Sequence, residues 1–316
     1  MKHKVLITGA NSFIGSNLTR KLVQEGFEVH CLVRENSDKW RLEGLNIKFW
    51  IGDLRERESI FEIVKKINPD IIFHLATAGI YAGVEGNEKD ILDINFFGSK
   101  NLIDACDEID YRCFVNTGSS SEYGIKNRPM NEDDVCSPMN VYGISKNMAC
   151  KYGQMIAKTK NKPIVSFRIF SPYGAYDHKD RLMSYALVNA LKEEDIVLNN
   201  PYGVRDYIFI KDVVELYLRA IDNAEKAKGE IFNVGSGNQE FILNVVEEII
   251  RISNSSSRII FGEYKPRSYD NKIWVADMNK TKEFFNWKPK KNLKQGLKES
   301  IEWFKNNLER YSNETS

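Results

Sequence analysis

The residues that follow the N-terminus constrain the fold more than any other part of the chain. An apolar run at residues 4–8 predicts a buried strand, and a turn with two glycines follows at residues 9–15. Residues 16–25 predict a helix, and residues 27–33 predict a second strand. Two strands joined through a helix run parallel, because a parallel pair needs a crossover connection of this length. The sequence therefore opens with a βαβ unit.

The glycine turn of this unit has the chemistry of a phosphate-binding site. Gly9 allows a tight turn away from the strand, and Gly15 lets the helix pack closely against it. The first N–H groups of the helix have no partner within the helix and can bind a pyrophosphate. Ser12 stands where a middle glycine is expected, which the turn tolerates if Ser12 has a negative φ angle. We predict that a pyrophosphate group binds at this turn.

The alternation of strands and helices continues to about residue 170. Uniformly apolar strands are predicted at residues 47–51, 70–75, 111–116 and 163–170, and helices at residues 56–66, 88–108 and 142–158. This pattern predicts an α/β fold with a Rossmann-type doubly wound parallel sheet. Ligands in such sheets bind at the carboxyl ends of the strands, so the residues that follow these strands should converge.

The pattern becomes less regular after residue 170. Helices are predicted at residues 180–193, 211–222, 242–253 and 293–310, and strands within residues 201–210, 230–234 and 258–261. We interpret residues 171–203 and 236–316 as a smaller C-terminal α/β substrate-binding lobe. Residues 1–170, with about 204–235, then form the Rossmann domain.

Composition and charge exclude several classes of function. The chain carries 45 basic and 44 acidic side chains, so no overall field attracts nucleic acid or an anionic membrane. No apolar run approaches the length of a membrane span, and no signal-peptide segment is recognisable. The five cysteines are dispersed without the spacing of a zinc site, which favours buried thiols in a reducing compartment. We expect a cytoplasmic protein that uses no metal.

One further helix carries a pair of residues suited to proton transfer. Tyr142 and Lys146 are four residues apart, which places them on one face of the predicted helix. A nearby ammonium favours the phenolate and lowers the pKa of a phenol, so Tyr142 is a candidate acid and base. Ser119, at a predicted strand end, offers a hydroxyl to hold a substrate oxygen. The same spacing also occurs by chance on solvated helices.

Together these segments resemble the extended short-chain dehydrogenase/reductases, specifically the NAD(P)-dependent nucleotide-sugar epimerase/dehydratase/reductase family. The resemblance covers about residues 4–305. It is carried by the motifs TGANSFIG (8–15), GDL (52–54), FHLA (73–76), NFFG (95–98), SSSEYG (119–124), YGISK (142–146), RIFSPYG (168–174), RDYI (205–208) and WKP (287–289). So many motifs in the expected order make the resemblance specific.

The resemblance implies a role for each matching residue. Tyr142 would be the catalytic acid and base, Lys146 would hold the nicotinamide ribose and lower the pKa of Tyr142, and Ser119 would bind the reacting sugar oxygen. The cofactor-binding residues would be Gly9, Asn11, Ser12, Phe13, Ile14, Gly15, Arg34, Asp53, Leu54, Leu75 and Ala76, with Tyr142 and Lys146. The substrate-binding residues would be Ser120, Ser121, Ser171, Arg205 and Arg267.

Several of these residues also have a purely structural interpretation. Asp53 is equally suited to cap a turn, and Arg205 to pair with a surface carboxylate. His74, at the end of a buried strand, is expected to be a packed core residue instead of a ligand. Asn95 is expected to be structural whatever the substrate.

Two departures from the family pattern narrow the reaction and the cofactor. The 4,6-dehydratases place acidic residues directly after the catalytic hydroxyl, where this chain has Ser120 and Ser121, and Glu122 comes one position too late. Dehydration is therefore disfavoured. The second strand ends in Arg34 instead of an aspartate for a ribose 2′-hydroxyl, which favours NADP over NAD unless Arg34 is merely a solvated loop charge.

These observations lead to two enzymatic hypotheses and one alternative class. The first is an NAD(P)-dependent nucleotide-sugar epimerase that acts at C4 of a nucleotide-diphosphate sugar. The second is an NADPH-dependent reductase of an NDP-4-keto-6-deoxyhexose. A non-catalytic NAD(P)-binding protein is disfavoured, because Ser119, Tyr142 and Lys146 are all present.

The resemblance also implies a homodimer formed through the helix that carries Tyr142 and the helix near residues 90–108. An apolar stripe of Ile144, Met148, Met155 and Ile156 would supply the contact, although the same spacing is typical of a core-facing helix.

Overall fold

A computed structural model describes residues 3–79, 87–263 and 272–312 of the protein. Within them the strands are β1 (Lys4–Thr8), β2 (Glu28–Val33), β3 (Lys48–Ile51), β4 (Ile71–His74), β5 (Cys113–Ser119), β6 (Ile164–Ile169), β7 (Ser171–Tyr173), β8 (Ile196–Leu198), β9 (Val204–Arg205), β10 (Tyr207–Phe209), β11 (Ile231–Val234), β12 (Glu240–Phe241) and β13 (Ile259–Phe261). The helices are α1 (Phe13–Gln24), α2 (Arg57–Ile67), α3 (Glu88–Leu92), α4 (Gly98–Asp107), α5 (Val141–Lys160), α6 (Leu182–Lys192), α7 (Ile210–Asn223), α8 (Ile242–Ser253), α9 (Asn279–Phe285), α10 (Leu293–Lys305) and α11 (Glu309–Ser312).

Seven strands form the central sheet, in the order β11-β6-β5-β4-β1-β2-β3. Every neighbouring pair is parallel. The chain leaves β1 toward β3 on one side and returns from β4 toward β11 on the other, so β1 and β4 flank the point where the strand order reverses. This is the Rossmann-type doubly wound sheet that the sequence predicts, and its crevice lies at the carboxyl ends of β1 and β4.

Both faces of the sheet are covered by helices, because successive side chains of each strand point to opposite faces. On β1, Val5 and Ile7 pack into the larger core cluster, which includes side chains of α1 and α7. Leu6 points the other way, into a cluster formed with α2, α4 and α5. All three side chains are inaccessible to solvent, and each such burial contributes roughly 1.5–3 kcal/mol. The buried strands hold their carboxyl ends at fixed positions along the crevice.

The second half of the chain contributes the last strand of the sheet and three small two-stranded sheets. β7 pairs with β10, β8 with β13, and β9 with β12, and only the last pair is antiparallel. α6 packs against α8 and α10 beside these strands. The division into a Rossmann domain and a substrate-binding lobe at residues 170, 204 and 235 stays a prediction.

The single strand predicted within residues 201–210 is wrong, because two short strands stand there and belong to different sheets. The chain changes partner at Asp206, whose carboxylate is fully buried between them. Its oxygens accept N–H bonds from Ser236 (2.6 Å), Gly237 (3.1 Å) and Ala276 (3.0 Å). Asp206 therefore joins three segments that are distant in the sequence.

Two predicted helices are also interrupted. A π-helical turn at Asp93–Phe97 separates α3 from α4 where one helix over residues 88–108 is predicted. Such turns displace the backbone and occur often at functional sites. The helix predicted over residues 293–310 ends at Lys305, and a short helix follows from Glu309.

Candidate active site

The glycine turn after β1 has the close packing that its sequence predicts. Gly9 has a φ of +68°, and a Cβ there would lie 2.6 Å from the backbone nitrogen of Ala76. A Cβ at Gly15 would lie 2.1 Å from the carbonyl oxygen of Gly9. Ser12 has a φ of −77°, as expected, and its hydroxyl caps α1 by accepting the N–H of Gly15 at 3.2 Å. The turn thus presents closely packed backbone at the start of a helix, which fits a dinucleotide pyrophosphate.

His74 at the end of β4 is a packed core residue, as predicted. Its ring is fully buried and lies between two hydroxyls, with Nδ1 2.6 Å from Thr8 and Nε2 2.7 Å from Ser99. The Thr8 hydroxyl also accepts the N–H of Ala76 at 3.2 Å. Burial lowers the pKa of His74 to about 3, so the ring is neutral. This network fixes the two strand ends that flank the crevice.

Asn95, in the π-helical turn, has the structural role expected of it. Its amide oxygen accepts the N–H of Ala78 at 2.7 Å, and its amide nitrogen donates to the Ala78 carbonyl and the Ser145 hydroxyl, both at 3.0 Å. The side chain is fully buried. Asn95 therefore ties the loop after β4 to the helix that carries Tyr142.

Tyr142 and Lys146 lie in the first two turns of α5, and Ser119 ends β5. Asn140 caps α5 by accepting the N–H of Gly143 at 2.8 Å. The Ser119 hydroxyl accepts the N–H of Ser121 at 3.1 Å, which fixes the side chain at the start of a short 3-10 turn. Tyr142, Lys146 and Ser119 all line one cavity of about 400 Å³. The structure thus brings the three candidate catalytic residues together.

The pKa of Tyr142 is shifted in the direction opposite to the prediction. Burial raises the pKa of Tyr142 to about 12, and hydrogen bonding to Ser119 and Thr77 opposes this shift only in part. Burial also lowers the pKa of Lys146. The sequence shows the neighbours of a phenol along its helix but not the loss of solvent around it, and here the loss of solvent dominates. Tyr142 is therefore protonated at neutral pH in this structure, so it must ionise before it can act as a base.

The same cavity collects most of the predicted cofactor and substrate residues. From the glycine turn and the strand ends it is lined by Ser12, Phe13, Ile14, Leu75, Ser120, Ser121, Ser171 and Arg205. Seven predicted residues in the described part of the chain do not line it: Gly9, Asn11, Gly15, Arg34, Asp53, Leu54 and Ala76. Gly9, Gly15 and Ala76 instead shape the turn behind it. Arg267 lies outside the described residues.

Asn11 and Leu54, which do not line the main cavity, have contacts elsewhere in the protein. Asn11 donates to the carbonyl of Asp38 at 3.0 Å. Leu54 is buried, and a Cβ on Gly98 would lie 2.8 Å from the Leu54 Cβ. Leu54 thus packs α4 closely against the loop after β3.

Sequence reasoning missed several residues of the cavity wall, among them Thr77, Arg181 and Trp274. Arg181 precedes α6, and its guanidinium lies 5.6 Å from the ring of Phe13 and 3.4 Å from the carboxylate of Asp177. The Arg205 guanidinium lies 5.4 Å from the ring of Trp274, and it forms no ion pair with a carboxylate of the described residues. No motif marked Arg181 or Trp274, since both reach the cavity only through tertiary folding.

The charge of the cavity wall has one sign. Lys146, Arg181 and Arg205 line it, and none of its lining residues in the described part of the chain is an aspartate or glutamate. The carboxylate of Asp177 contacts Arg181 from the side that faces away from the cavity. Burial raises the pKa of Asp177 to about 6, although Arg181 opposes the shift. A cavity lined by cations and hydroxyls favours an anionic, polyhydroxylated ligand.

A second cavity lies beyond the ends of β2 and β3 and is lined by Arg34, Glu35, Asn36, Ile51, Gly52 and Asp53. Arg34 is exposed there. Asp53 accepts the backbone N–H of Arg55 at 2.9 Å and pairs with its guanidinium at 2.7 Å, which lowers the pKa of Asp53. Asp53 therefore does cap a turn, and it also borders the cavity. Glu35, which the sequence did not single out, brings a carboxylate beside Arg34.

The residues after Ser119 face in different directions. Ser120 and Ser121 line the main cavity, where dehydratases place their acids. Glu122 is inaccessible to solvent and pairs with the buried Arg168, with 2.9 Å between Oε2 and Nε. The only acidic residue of this segment is thus directed into the core.

In the described ranges, no cluster of three or more potential metal-ligating side chains occurs. The same ranges contain no helix that is long and apolar enough to cross a membrane. The five cysteines have free thiols; Cys136 is partly exposed and the other four are buried.

The sheet and the glycine turn define a Rossmann-type α/β protein, with Tyr142 and Lys146 as a candidate site beside the turn. Comparison with known proteins identifies which group of these it is. Residues 5–235 match the model of the NAD dependent epimerase/dehydratase family, and the chain belongs to that family.

Several relatives match this chain over nearly its full length. A UDP-N-acetyl-alpha-D-glucosaminuronate decarboxylase of Bacillus cytotoxicus is 29% identical over 96% of this chain and 98% of its own. A UDP-glucose 4-epimerase of Lactobacillus helveticus is 25% identical over 98% and 99%. The crystal structure of a Thermotoga maritima UDP-glucose 4-epimerase with UDP-glucose has a TM-score of 0.88, with 23% identity over 96% of this chain and 99% of that one. The likeness of the structures shows the common fold.

Proposed function

We propose that the protein is an NAD(P)-dependent nucleotide-sugar epimerase that acts at C4 of the sugar, with Tyr142 as acid and base. The observation that carries the proposal is the main cavity, in which Ser119, Tyr142 and Lys146 lie between the glycine turn and Arg205. A dinucleotide at the turn and a nucleotide diphosphate at Arg205 would meet at the tyrosine. UDP-sugar 4-epimerases among the relatives support the same reaction.

The residues of the cavity divide the chemistry between them. Tyr142, once it has ionised, takes the proton of the C4 hydroxyl as a phenolate and returns a proton at the end of the cycle. Ser119 holds the C4 oxygen as the bond order changes, and Lys146 stabilises the phenolate. NAD(P), held at the glycine turn, would supply the hydride acceptor and donor for C4. Arg205, and Arg181 as a second cation, bind phosphate oxygens, for which a guanidinium has two donors in a suitable geometry.

Dehydration is not part of the proposal. Elimination of water needs an acidic group that reaches the substrate, and the segment after Ser119 presents Ser120 and Ser121 to the cavity. The carboxylate of Glu122 is engaged by Arg168 outside the cavity. A decarboxylase and a dehydratase share this fold with the chain, so the fold alone does not select the reaction.

The cavity at Arg34 gives the ketoreductase hypothesis its specific support. Arg34 there supplies a cation for the 2′-phosphate of NADP, whereas Glu35 and Asp53 supply carboxylates for the 2′-hydroxyl of NAD. A preference for NADPH would favour net reduction of an NDP-4-keto-6-deoxyhexose. Solved relatives include complexes with NAD, for example a Bacillus cereus UDP-glucuronic acid 4-epimerase and a Thermus thermophilus UDP-glucose 4-epimerase.

One set of assays distinguishes the two reactions. The purified protein is incubated with a panel of UDP-, dTDP-, CDP- and GDP-hexoses and NAD, and products are resolved by chromatography and NMR. Interconversion of two C4 epimers without net change in cofactor supports the epimerase. If NADPH absorbance falls with 4-keto sugar nucleotides and no sugar of the panel is interconverted, the ketoreductase hypothesis replaces the epimerase hypothesis. A Tyr142→Phe variant that retains full turnover would contradict both.

The predicted homodimer also remains a proposal. Ile144, Met148 and Met155 are 36–45% exposed along α5, which suits a subunit contact. Ile156 is 5% exposed and packs into the core, so its place in the predicted stripe is wrong. Light scattering of the wild type and of Met148→Glu tests the proposal. A monomeric mass for the wild type would refute it.

A further inference from the structure

A fully buried ion pair lies directly behind the Ser119 hydroxyl, and the proposed reaction assigns it no role. Glu122 and Arg168 have side chains that are 0% and 1% exposed. Breaking such a pair by removal of one partner is costly, whereas replacing both partners with apolar groups is often tolerated. A buried pair is therefore weak support for stability, and its location needs another explanation.

The carboxylate of Glu122 holds the main chain of the catalytic serine. Its Oε1 accepts the backbone N–H of Ser119 at 2.8 Å, while Oε2 accepts Nε of Arg168 at 2.9 Å. Approach this close requires the glycine before the serine, because a Cβ on Gly118 would lie 2.4 Å from Oε1. The Ser119 hydroxyl then accepts the N–H of Ser121 and faces the cavity.

Arg168 in turn keeps the carboxylate in one orientation. Its Nη1 donates to the carbonyl of Glu132 at 3.4 Å, its Nη2 to the Cys136 sulfur at 3.0 Å, and it stacks 4.5 Å from the ring of Tyr123. Burial lowers the pKa of Arg168, but Glu122 together with the neighbouring Tyr123, Cys150 and Cys136 raises it more, so the guanidinium stays charged. These contacts hold the Arg168 guanidinium against the carboxylate of Glu122.

From this geometry we propose that Glu122, oriented by Arg168, is a positioning residue that sets the location of the Ser119 hydroxyl relative to Tyr142. The proposal rests on the proposed function of Ser119 and Tyr142. A displacement of about 1 Å in a group that aligns a substrate costs roughly 10²-fold in rate, so loss of this anchor reduces kcat more than it changes substrate affinity.

The charge of Glu122 gives the proposal a second, independent readout. Burial raises the pKa of Tyr142, and the negative charge of Glu122 adds to this rise. Burial lowers the pKa of Lys146, and the charge of Glu122 opposes that shift. A neutral side chain at position 122 is therefore expected to lower the apparent pKa that the pH–rate profile shows for Tyr142. The other titratable or polar groups that face Glu122 or Tyr142 are Thr77, Ser119, Lys146, Cys150, Arg168 and Arg181.

The decisive experiment compares Glu122→Gln with Glu132→Gln. Glu132 is a matched control, because it is also buried and its Oε1 also holds a main-chain N–H, that of Asn233 at 2.8 Å, outside the cavity. For Glu122→Gln we expect kcat to fall about 10- to 100-fold, while KM stays within about threefold of the wild-type value. We also expect the apparent pKa of Tyr142 in the pH–rate profile to fall. Glu132→Gln should keep the wild-type kcat and pH profile.

The proposal fails if folded Glu122→Gln keeps kcat within twofold and an unshifted pH profile. If that variant does not fold, the double variant Glu122→Met/Arg168→Met, which buries no charge, takes its place with the same expected loss of kcat. An inactive wild type that still binds NAD in a fluorescence titration would instead refute the proposed function. The two failures are thus distinguishable.

Discussion

The buried histidine beside the glycine turn leads to a quantitative prediction about acid stability. The Thr8 hydroxyl accepts the N–H of Ala76, so its own proton is directed to Nδ1 of His74. The Ser99 hydroxyl donates to the carbonyl of Asn95 at 2.5 Å, so it accepts the Nε2 proton of His74. The network therefore holds a neutral ring protonated on Nε2, and a second proton on Nδ1 would break it.

The magnitude follows from the pKa of His74, which burial lowers from 6.5 to about 3. The unfolded chain binds a proton below pH 6.5 that the folded protein rejects, so this contribution to stability is complete above pH 6.5 and is lost as the pH falls toward 3. Between about pH 7.5 and about pH 5 the loss from this one group is about 2 kcal/mol.

Urea unfolding followed by tryptophan fluorescence, at about pH 7.5 and about pH 5, measures the effect. Other groups titrate in this range as well, including Asp177, whose pKa burial raises to about 6. The His74→Gln variant isolates the histidine, because a glutamine can retain a polar contact in the network but does not titrate. We expect the wild type to lose about 2 kcal/mol more than the variant on acidification. Equal losses would show that His74 is not held neutral in the folded protein.

Three further predictions concern the cofactor and the reaction. Gly15→Ala places a Cβ 2.1 Å from the Gly9 carbonyl, so we expect the variant to lose NAD binding by fluorescence titration, and wild-type affinity would contradict the packing of the turn. Tyr142→Phe should lower kcat by about 10²–10⁴-fold with the NAD dissociation constant within about threefold, since it removes only the transferred proton; an unchanged kcat would exclude the tyrosine. Arg34→Ala should raise KM for NADPH at least about tenfold and leave KM for NADH nearly unchanged, because a phosphate contact is lost; equal effects on both cofactors would remove Arg34 as a 2′-phosphate ligand.

The fold, and the placement of Tyr142 and Lys146 on one helix, were predictable because their signals are local. The alternation of apolar strands and helices, and the spacing of Tyr142 and Lys146, are read directly along the chain. The side chains that come from the second half were not predictable in the same way. Arg181 and Trp274 lie in irregular segments, and only the folded chain brings them to the cavity wall.

Three errors share a physical cause, which is that burial is a property of the folded protein. The helical stripe included Ile156, although the helix turns that residue into the core. The predicted pKa of Tyr142 considered a neighbouring charge and neglected desolvation. The one strand predicted after a turn within residues 201–210 could not be recognised as two, since Asp206 divides it by contacts with segments 30 to 70 residues away.

The 3-10 turn at Ser120–Glu122 has a consequence for how enzymes of this fold change reaction. A 3-10 helix has three residues per turn, so neighbouring side chains point about 120° apart. Moving a carboxylate by one position, from 122 to 121, would rotate it out of the core and into the main cavity. The same acidic residue can thus serve as an internal counterion or as a reagent, and one step along the chain separates the two.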